Sequence, residues 1–513
     1  MTTLDFFVLG LYGAAMVALA VWVGRGQTSR ADYYLAGRSI PAWQITASIM
    51  ATQISAVSLV GGPAFVAVKP GGGLIWLQSE LAIPLAMIVV AAVFLPAFHA
   101  SGITTIYEYL EKRFGLVART SLSVAFMVTR GLATGIIIYT CAKVVAAPLD
   151  WNLGLTIAIV SGVTLLYTVV GGIKADILTD IVQLAVLWFA TLACIFFAGG
   201  FSLEGVDPAR MRIFDASTTG FGGSGEYGLL PMLVGGFFLY VSYYACDQSQ
   251  AQRLLTAPDV ATARRAVLWN GLLRFPLALT YCAFGLVLAG FMSRTPEFAA
   301  KVKDPNDLVP LFLLDHVPGG IRGLFIAGVL AAAMSSLDSA LNSLSAATME
   351  DGLRRFSRRF RDMEERTAMR WSRFLTFLWG ALAMGFAFLT PLISGTVIES
   401  INKVGSLTYG PILGMFLLGI LTRRATEGGA VAGLVAGTGV NLALWLFAPG
   451  VSWLWWNAFG FAASVLVGWI WRPGVPREAP TGSMAELKRI ALTLGAAFIA
   501  MIVACLLIQT VLG

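Results

Sequence analysis

Apolar stretches long enough to cross a membrane recur along almost the whole chain, separated by short polar connections. A helix needs about 20 apolar residues to span the hydrocarbon core of a bilayer, and such stretches follow one another from Leu4 to the end of the sequence. The pattern predicts about 14 transmembrane helices. Their approximate spans are 5–25, 43–66, 75–98, 118–147, 152–171, 175–201, 227–247, 265–293, 319–349, 370–394, 398–421, 426–448, 452–471 and 487–512. We therefore expect an all-α integral membrane protein without a separate soluble domain.

Composition and charge agree with a chain that is surrounded mainly by lipid. Of the 513 residues, 57% are hydrophobic and 12% are charged, a balance that a water-soluble protein could not cover with polar surface. The net charge of +7 does not indicate a nucleic-acid partner, because the basic residues are distributed by loop. The five cysteines lie in apolar stretches without C-x-x-C spacing, which disfavours a zinc site or a disulfide framework.

Most basic residues fall in one set of alternate loops. By the positive-inside rule these loops face the cytoplasm, which predicts a multi-pass protein of the cell inner (plasma) membrane with the N- and C-termini both outside. The densest group lies between Arg354 and Arg373. We interpret this group as a topology determinant; the alternative is a patch that binds lipid headgroups or serves regulation.

The second span contains polar residues followed by a helix-breaking motif. The segment reads Gln53-Ile54-Ser55-Ala56-Val57-Ser58-Leu59-Val60-Gly61-Gly62-Pro63. An interruption at Gly-Gly-Pro frees main-chain carbonyls, and breaks of this kind line polar cavities. The alternative is a simple kink at Pro63.

The ninth span carries oxygen-bearing side chains along one side of a helix. At helical spacing, one face carries Ser335, Asp338, Asn342 and Ser345, and an adjoining stripe carries Ser336, Ser339 and Ser343. Serines alone are typical of helix packing in membranes. A carboxylate inside a span, however, needs a cation, a proton or water. The hard oxygen ligands of this helix therefore favour a sodium site.

Further charged residues interrupt apolar spans four and six. Arg130 lies near the centre of the fourth span, and its guanidinium requires an anion. That anion is either a protein carboxylate, such as Asp338 or Asp180, or the carboxylate of a transported solute. Asp176 is expected to pair with Lys174 at the membrane interface, whereas Asp180, one turn deeper, is a candidate ion ligand.

A series of motifs, in order along the chain, resembles the sodium/solute symporter family, which includes sodium-coupled glucose, proline, sialic acid, monocarboxylate and iodide transporters. The matching segments are Asp32-Tyr33-Tyr34-Leu35-Ala36-Gly37-Arg38, the Gln53-to-Pro63 segment, Thr105-Ile106-Tyr107-Glu108-Tyr109-Leu110 with Lys112-Arg113-Phe114, Gly171-Gly172-Ile173-Lys174 leading to Thr179-Asp180, Gln248 to Arg253, and Thr348-Met349-Glu350-Asp351.

The resemblance implies a leucine-transporter-type core, an inverted repeat of five plus five helices with one helix before it and three after it. The implied divisions are a leading helix and cytoplasmic loop (1–42), a first repeat (43–201), an outward loop (202–226), a second repeat (227–421) and three C-terminal helices (422–513).

The resemblance also implies positions for ions and solute. The family's common sodium site falls on the main-chain carbonyls of Ala51, Ile54 and Ala332 and the hydroxyls of Ser335 and Ser336. A second sodium site of some relatives falls on Asp180, Ser336, Asp338 and Ser339. Asp338 stands where a serine is usual, so this second site binds an ion more tightly, binds a proton instead, or is an ion pair. The implied solute contacts are Gln53, Ser55, Ser58, Gln78 and Arg130.

The function implied is sodium-coupled symport of a small polar solute by alternating access, with one or two Na⁺ as coupling ions. The arginine favours a carboxylate such as sialic acid, another sugar acid or a monocarboxylate; a neutral sugar or amino acid is the alternative. An enzyme is disfavoured because His99 and His316 lie far apart at span ends. A transporter-like sensor or a channel is the alternative of another class. The expected partners are the solute and the lipid bilayer, without an obligate protein partner.

Overall fold

The computed structural model describes residues 1–25, 27, 29–54, 56–149, 151–222, 225–390, 397–471 and 484–512, and the regular elements within these ranges are helical. The first helices are Thr3–Gly24 (α1), Arg30–Leu35 (α2), Ala42–Gln53 (α3), Ala56–Ala67 (α4), Leu77–Glu80 (α5), Ala82–Val89 (α6), Leu95–Ser101 (α7), Ile106–Arg113 (α8), Leu116–Leu149 (α9), Leu153–Phe197 (α10), Pro208–Met211 (α11), Gly236–Cys246 (α12) and Gln248–Leu255 (α13). The later helices are Val260–Arg294 (α14), Pro296–Ala299 (α15), Leu308–His316 (α16), Ile321–Ala346 (α17), Arg354–Phe356 (α18), Arg358–Arg361 (α19), Glu365–Ala387 (α20), Val397–Ser406 (α21), Tyr409–Leu421 (α22), Glu427–Phe447 (α23), Trp453–Ile470 (α24) and Met484–Leu512 (α25).

The apolar helices confirm a multi-pass membrane protein. In the described ranges, 10 helical segments are long and apolar enough to cross a bilayer, and joining one bent pair of helices gives 11. Shorter apolar helices, Leu153–Leu165 and Pro231–Cys246, occupy two further predicted spans. The exact number of spans stays a prediction.

The long helix α10 consists of two helices joined at Gly172. Its φ of 59° and ψ of −177° are outside the helical region. A Cβ atom there would lie 2.8 Å from Gln27 Oε1 and 2.8 Å from Tyr33 Cδ2, in addition to the backbone strain. Glycine thus allows a break in the helix between the fifth and sixth predicted spans.

The predicted interruption of the second span is present, but its predicted place at Gly-Gly-Pro is wrong. Helix α3 ends at Gln53, and Ile54 has a non-helical φ of −90° and ψ of 77°. The axes of the two helices are bent by 55° relative to each other. Gly61, Gly62 and Pro63 all lie inside α4.

These small residues let α4 pack closely against α14. A Cβ atom on Gly62 would lie 2.8 Å from the ring of Tyr281, and one on Gly285 would lie 2.8 Å from Pro63 Cα. The Gly-Gly-Pro motif is therefore explained by helix packing, in the way that small residues allow membrane helices to approach.

Helix α17 forms the centre of the bundle. Every residue from Ala331 to Ala346 is buried, and the helix contacts α1, α3, α9, α10 and α20. At its N-terminal end, Asp5 Oδ1 accepts hydrogen bonds from the main-chain N–H groups of Gly320 and Gly323 at 2.7 and 2.8 Å. A carboxylate at this position satisfies free N–H groups and complements the positive end of the helix dipole.

The α4–α14 contact gives a stability prediction. We expect Gly285→Ala to destabilise the protein by about 1–3 kcal/mol, because the new methyl group would overlap main-chain atoms of Pro63 that cannot rotate away. Gly13→Ala is the matched control, since a Cβ atom there meets nothing within 4 Å. Thermal unfolding in detergent should show a lower midpoint for Gly285→Ala alone; equal midpoints would contradict the packing argument.

Candidate sodium and solute site

The carbonyl end of α3 faces the serine-bearing side of α17. Ser336 Oγ donates a hydrogen bond to the Thr52 main-chain oxygen at 2.9 Å. The Thr52 hydroxyl lies 3.5 Å from both Ser335 Oγ and Ser339 Oγ. Because α3 stops here, its last carbonyls and the negative end of its dipole meet three hydroxyl groups in a buried place. This arrangement is suited to a monovalent cation.

The residues predicted for the first sodium site lie on these two segments. All five are buried: Ala51, Ile54, Ala332, Ser335 and Ser336. The structure therefore brings together the two segments that carry them. Their coordination of an ion stays a prediction.

An arginine that the sequence analysis did not single out lies beside this place. The Arg253 side chain is 1% exposed, and its Nη2 lies 3.0 Å from Asp180 Oδ2. The same nitrogen donates to Ser339 Oγ, and Nε donates to Ser48 Oγ at 2.6 Å. Ser48 in turn donates to Asp180. One guanidinium thus joins α3, α10, α13 and α17.

The residues predicted for a second sodium site are engaged with other groups in this conformation. Asp180 and Ser339 contact Arg253, and Asp338 Oδ1 accepts a hydrogen bond from Thr168 Oγ1 at 2.6 Å. Ser336 bonds to α3 as described above. A second ion there stays a prediction, and it would have to share Asp180 with a fixed positive charge.

The predicted pairing of Asp176 with Lys174 at the interface is wrong. Asp176 is buried, and its Oδ2 accepts a hydrogen bond from Asn342 Nδ2 at 3.3 Å, whereas Lys174 is exposed. The two residues differ because they point to different sides of α10.

A cavity of about 110 Å³ adjoins the end of α3. It contains three residues predicted to contact solute, Gln53, Ser58 and Arg130, and it also includes Thr52 and Ser336 from the ion-site segments. The further lining residues are Val57, Trp76, Glu80, Ala133, Ile137, Leu239, Tyr240, Tyr243, Arg274, Tyr281, Ile401, Asn402 and Tyr409. Ser55, also predicted to contact solute, lies outside the described residues.

Arg130 pairs with a different carboxylate from those considered in the sequence. Its Nη1 lies 3.5 Å from Asp247 Oδ2, and both side chains are buried. The prediction that Asp338 or Asp180 is its protein partner is wrong. Asp338 accepts a hydrogen bond from Thr168, and Asp180 pairs with Arg253. Asp247 falls at the end of a predicted span, where α12 gives way to α13, so its burial does not follow from the apolar pattern.

A second arginine lines the cavity, again with a carboxylate. Arg274 Nε lies 3.1 Å from Glu80 Oε2, and the Tyr281 hydroxyl donates to Glu80 Oε1 at 3.2 Å. The signal that would have found Arg274 is the one that identified Arg130, a single charged residue in the middle of an apolar span.

Three residues of the cavity lining have a buried N–H group without a hydrogen-bond acceptor among the described residues. The donors are Gln53 Nε2, Arg130 Nε and Arg274 Nη1. The other end of the Gln53 amide is fixed, because its Oε1 accepts from the Tyr244 hydroxyl at 2.7 Å. Leaving polar donors unpaired away from water is costly, so these three groups are candidates for contact with a ligand that supplies acceptor oxygens.

Gln78 is buried outside the cavity lining. Its Nε2 donates to the carbonyls of Ile75 and Tyr227, each at 3.2 Å, and its Oε1 accepts from the Asp215 main-chain N–H at 3.2 Å. In this conformation it holds Asp215 of the 202–226 loop and Tyr227, the residue directly after that loop. Its predicted contact with solute stays a prediction.

An interrupted membrane helix, a facing serine helix and a cavity lined by two arginines are features of a secondary transporter. The model of the sodium:solute symporter family matches residues 33–437. The chain belongs to the sodium:solute symporter family and is a sodium-coupled symporter.

Relatives and a solved structure agree with this assignment. The chain is 30% identical over 440 residues to sodium-coupled monocarboxylate transporter 1 of Homo sapiens, covering 84% of this chain and 70% of that protein. It is 27% identical over 497 residues to the sodium/sialic acid symporter NanT of Aliivibrio fischeri, covering 95% and 96%. A structure of a Na⁺-coupled sialic acid symporter in a substrate-bound outward-open state matches with a TM-score of 0.82 at 24% identity, covering 91% of this chain and 97% of that one. The predicted leucine-transporter-type fold is confirmed.

The buried pair at the ion site gives the second prediction. We expect Arg253→Gln to destabilise the protein by about 3–5 kcal/mol, because it leaves the Asp180 carboxylate buried without its cation. The double variant Arg253→Gln/Asp180→Asn should regain part of this loss, since the remaining charge is removed. Thermal unfolding in detergent measures both effects.

The matched control for that cycle is an exposed ion pair. Lys301 and Asp315 are 57% and 31% exposed and their charged atoms lie 2.6 Å apart, so Lys301→Gln should cost less than about 1 kcal/mol. Equal losses for Lys301→Gln and Arg253→Gln would contradict the role assigned to the buried pair.

Proposed function

We propose that this symporter carries a small carboxylate into the cell together with sodium. The observation that carries the proposal is the set of three buried N–H donors around the cavity, two of them on arginines, that lack acceptors among the described residues. A carboxylate supplies two acceptor oxygens and one negative charge, which matches guanidinium donors better than a neutral sugar does.

The size of the cavity favours a short carboxylate. A volume of about 110 Å³ corresponds to roughly four water molecules in the liquid. A monocarboxylate of three or four carbons fits such a space, whereas a nine-carbon sugar acid requires the lining to move apart. The similarity to a human monocarboxylate transporter supports the same choice, and the similarity to a sialic acid symporter supports the carboxylate class.

Sodium binds, in this proposal, between the carbonyls of Ala51, Ile54 and Ala332 and the hydroxyls of Ser335 and Ser336. The hydrogen bond from Ser336 to α3 is exchanged for the ion, which then joins the two helices. Because an inside-negative membrane contributes about 2.3 kcal/mol per charge per 100 mV, inward movement of sodium drives solute accumulation. A second sodium ion at Asp180, Ser336, Asp338 and Ser339 would make the transport of a monovalent anion electrogenic.

In this proposal, two sets of ion pairs, one on each side of the cavity, separate in turn and so give alternating access. On one side, Lys69 Nζ, just after α4, lies 3.0 Å from Glu399 Oε1 on α21, and the Tyr227 hydroxyl donates to the same carboxylate. On the other side, Arg119 Nη2 on α9 lies 2.6 Å from Asp351 Oδ1 after α17. Opening requires one set to separate while the other remains, with the repeats 43–201 and 227–421 moving relative to each other.

The orientation proposed is that of the positive-inside rule. The Lys69–Glu399 pair faces outward, the Arg119–Asp351 pair faces the cytoplasm, and both termini lie outside the inner membrane. The leading segment 1–42 and the C-terminal helices 422–513 flank the two repeats and the 202–226 loop.

The sodium site gives the third prediction. In proteoliposomes, Ser336→Ala should raise the sodium concentration for half-maximal uptake at least tenfold, because an ion ligand is lost. Ser343→Ala is the matched control: Ser343 is buried in the same helix, but its hydroxyl bonds to the Ala340 carbonyl of its own helix. An unchanged sodium dependence in Ser336→Ala, or an equal change in both variants, would reject the site.

The solute site gives the fourth prediction. In a thermal-shift screen of purified protein with sodium, short carboxylates should raise the unfolding midpoint, since a ligand of the folded state stabilises it by mass action. Arg274→Gln and Arg130→Gln should each reduce that shift by loss of a cationic donor. Stabilisation by neutral sugars or amino acids, with carboxylates inactive, would replace the proposed solute class.

A further inference from the structure

The arginine-rich stretch after α17 is a folded element that packs onto α20. We call residues 354–361, which form α18 and α19, the arginine segment. The Phe360 ring meets the Trp371 ring edge-on, with centroids 5.1 Å apart. Around them a small hydrophobic cluster is formed by Met349, Ala368, Leu375, Leu353 and Met363. Positive charge alone is sufficient to determine membrane topology. That role therefore does not explain why the segment packs against α20.

Two of the arginines hold the segment in shape. Arg354 Nη2 donates to the Arg361 carbonyl at 3.2 Å, and Arg361 Nη2 donates to the Arg355 carbonyl at 3.0 Å. Arg358 and Arg359, between them, are exposed. Phe356, two residues before Arg358, is 62% exposed. A large apolar side chain beside exposed cations is the composition of a surface at the level of lipid headgroups.

The charge around the segment is strongly positive. Residues 354–373 contain eight arginines against one aspartate and two glutamates. One of these acids, Glu365, pairs with Arg30. Five of the arginines are exposed: Arg358, Arg359, Arg361, Arg366 and Arg370. The segment begins at the end of residues 321–356, which are long and apolar enough to cross a membrane, and precedes α20, which overlaps the predicted span 370–394. The phosphates expected closest to it are therefore those of the bilayer itself.

We infer that the arginine segment binds the headgroup of an anionic phospholipid, with Arg358 and Arg359 on the phosphate and Phe356 against the acyl region. Planar guanidinium groups recognise phosphate oxygens in pairs, and basic clusters directly beside a membrane helix bind acidic lipids. This inference does not depend on which solute is carried.

The segment is also linked to the ends of the transport helices. Arg354 Nη1 lies 2.9 Å from Glu350 Oε2, and Arg355 Nη2 lies 2.6 Å from Glu111 Oε1. Glu111 also pairs with Arg119 of α9 at 2.6 Å. A lipid that fixes the arginine segment therefore stabilises the network that closes the same side of the transporter.

The test uses the purified full chain in detergent, with phosphatidylglycerol or phosphatidylcholine of identical acyl chains as probes and native mass spectrometry as the readout. We expect tight retention of phosphatidylglycerol by the wild type and a roughly tenfold or greater loss in the double variant R358Q/R359Q, since each basic residue near an anionic lipid contributes roughly fivefold. R358K/R359K, which keeps charge but loses paired hydrogen bonds, should fall between them.

The control variant is R423Q/R424Q, an exposed arginine pair in another loop expected on the same side of the membrane. It should retain the lipid as the wild type does. Equal retention in R358Q/R359Q, an equal loss in both double variants, or equal retention of phosphatidylcholine would overturn the inference. Displacement of the lipid by free glycerol phosphate at equal concentration would also overturn it, because the site would then be one for small anions. Size-exclusion profiles verify that the variants are folded.

Discussion

The contact between the carbonyl end of α3 and the serine face of α17 organises this transporter. Inside a membrane a helix satisfies its own main chain, so a helix that stops halfway must find other partners for its last carbonyls. Here Ser336 provides one hydrogen bond to Thr52, and Ser335 and Ser339 lie around the Thr52 hydroxyl. In the proposed mechanism, the Ser336 hydroxyl exchanges its hydrogen bond to the Thr52 carbonyl for coordination of a sodium ion. In this proposal, the carbonyls that the break leaves without helical partners make the chain responsive to an ion.

Buried ion pairs surround this contact. They differ in whether the arginine has a protein acceptor for its N–H groups. Arg253 directs its hydrogen bonds to Asp180, Ser48, Ser339 and a main-chain carbonyl, so its donors are used within the protein. Arg130 and Arg274 each pair with a carboxylate but keep one buried N–H without an acceptor in the described part of the chain. An arginine of the first kind holds helices together, and an arginine of the second kind is, in the proposal, the one that contacts the solute. The distinction depends on geometry, since all three cost similar desolvation.

Much of the fold follows from the sequence because the bilayer limits the choices. Apolar runs predict spans, and Gly172 separates two of them where the prediction placed a boundary. The serine helix was found because Asp338 cannot lie in lipid without a partner. The interruption after Gln53 was misplaced because glycine and proline are the usual breakers, whereas here Gly62 and Pro63 serve close packing against α14. The partners of Arg130 and Asp180 could not be predicted. Asp247, between α12 and α13, pairs with Arg130, and Arg253, on α13, pairs with Asp180. Both partners are distant in sequence, and only tertiary packing brings each pair together.

The most direct test of the ion-dependent contact is a pair of experimental structures of the same protein, one determined in sodium chloride and one in choline chloride. The account predicts a density peak, present only with sodium, in direct coordination distance of Ser336 Oγ, Ser335 Oγ and the carbonyl oxygen of Ala51. It also predicts that Ser336 then no longer donates to Thr52. A peak elsewhere in the bundle, or an unchanged Ser336–Thr52 hydrogen bond in both structures, would contradict it.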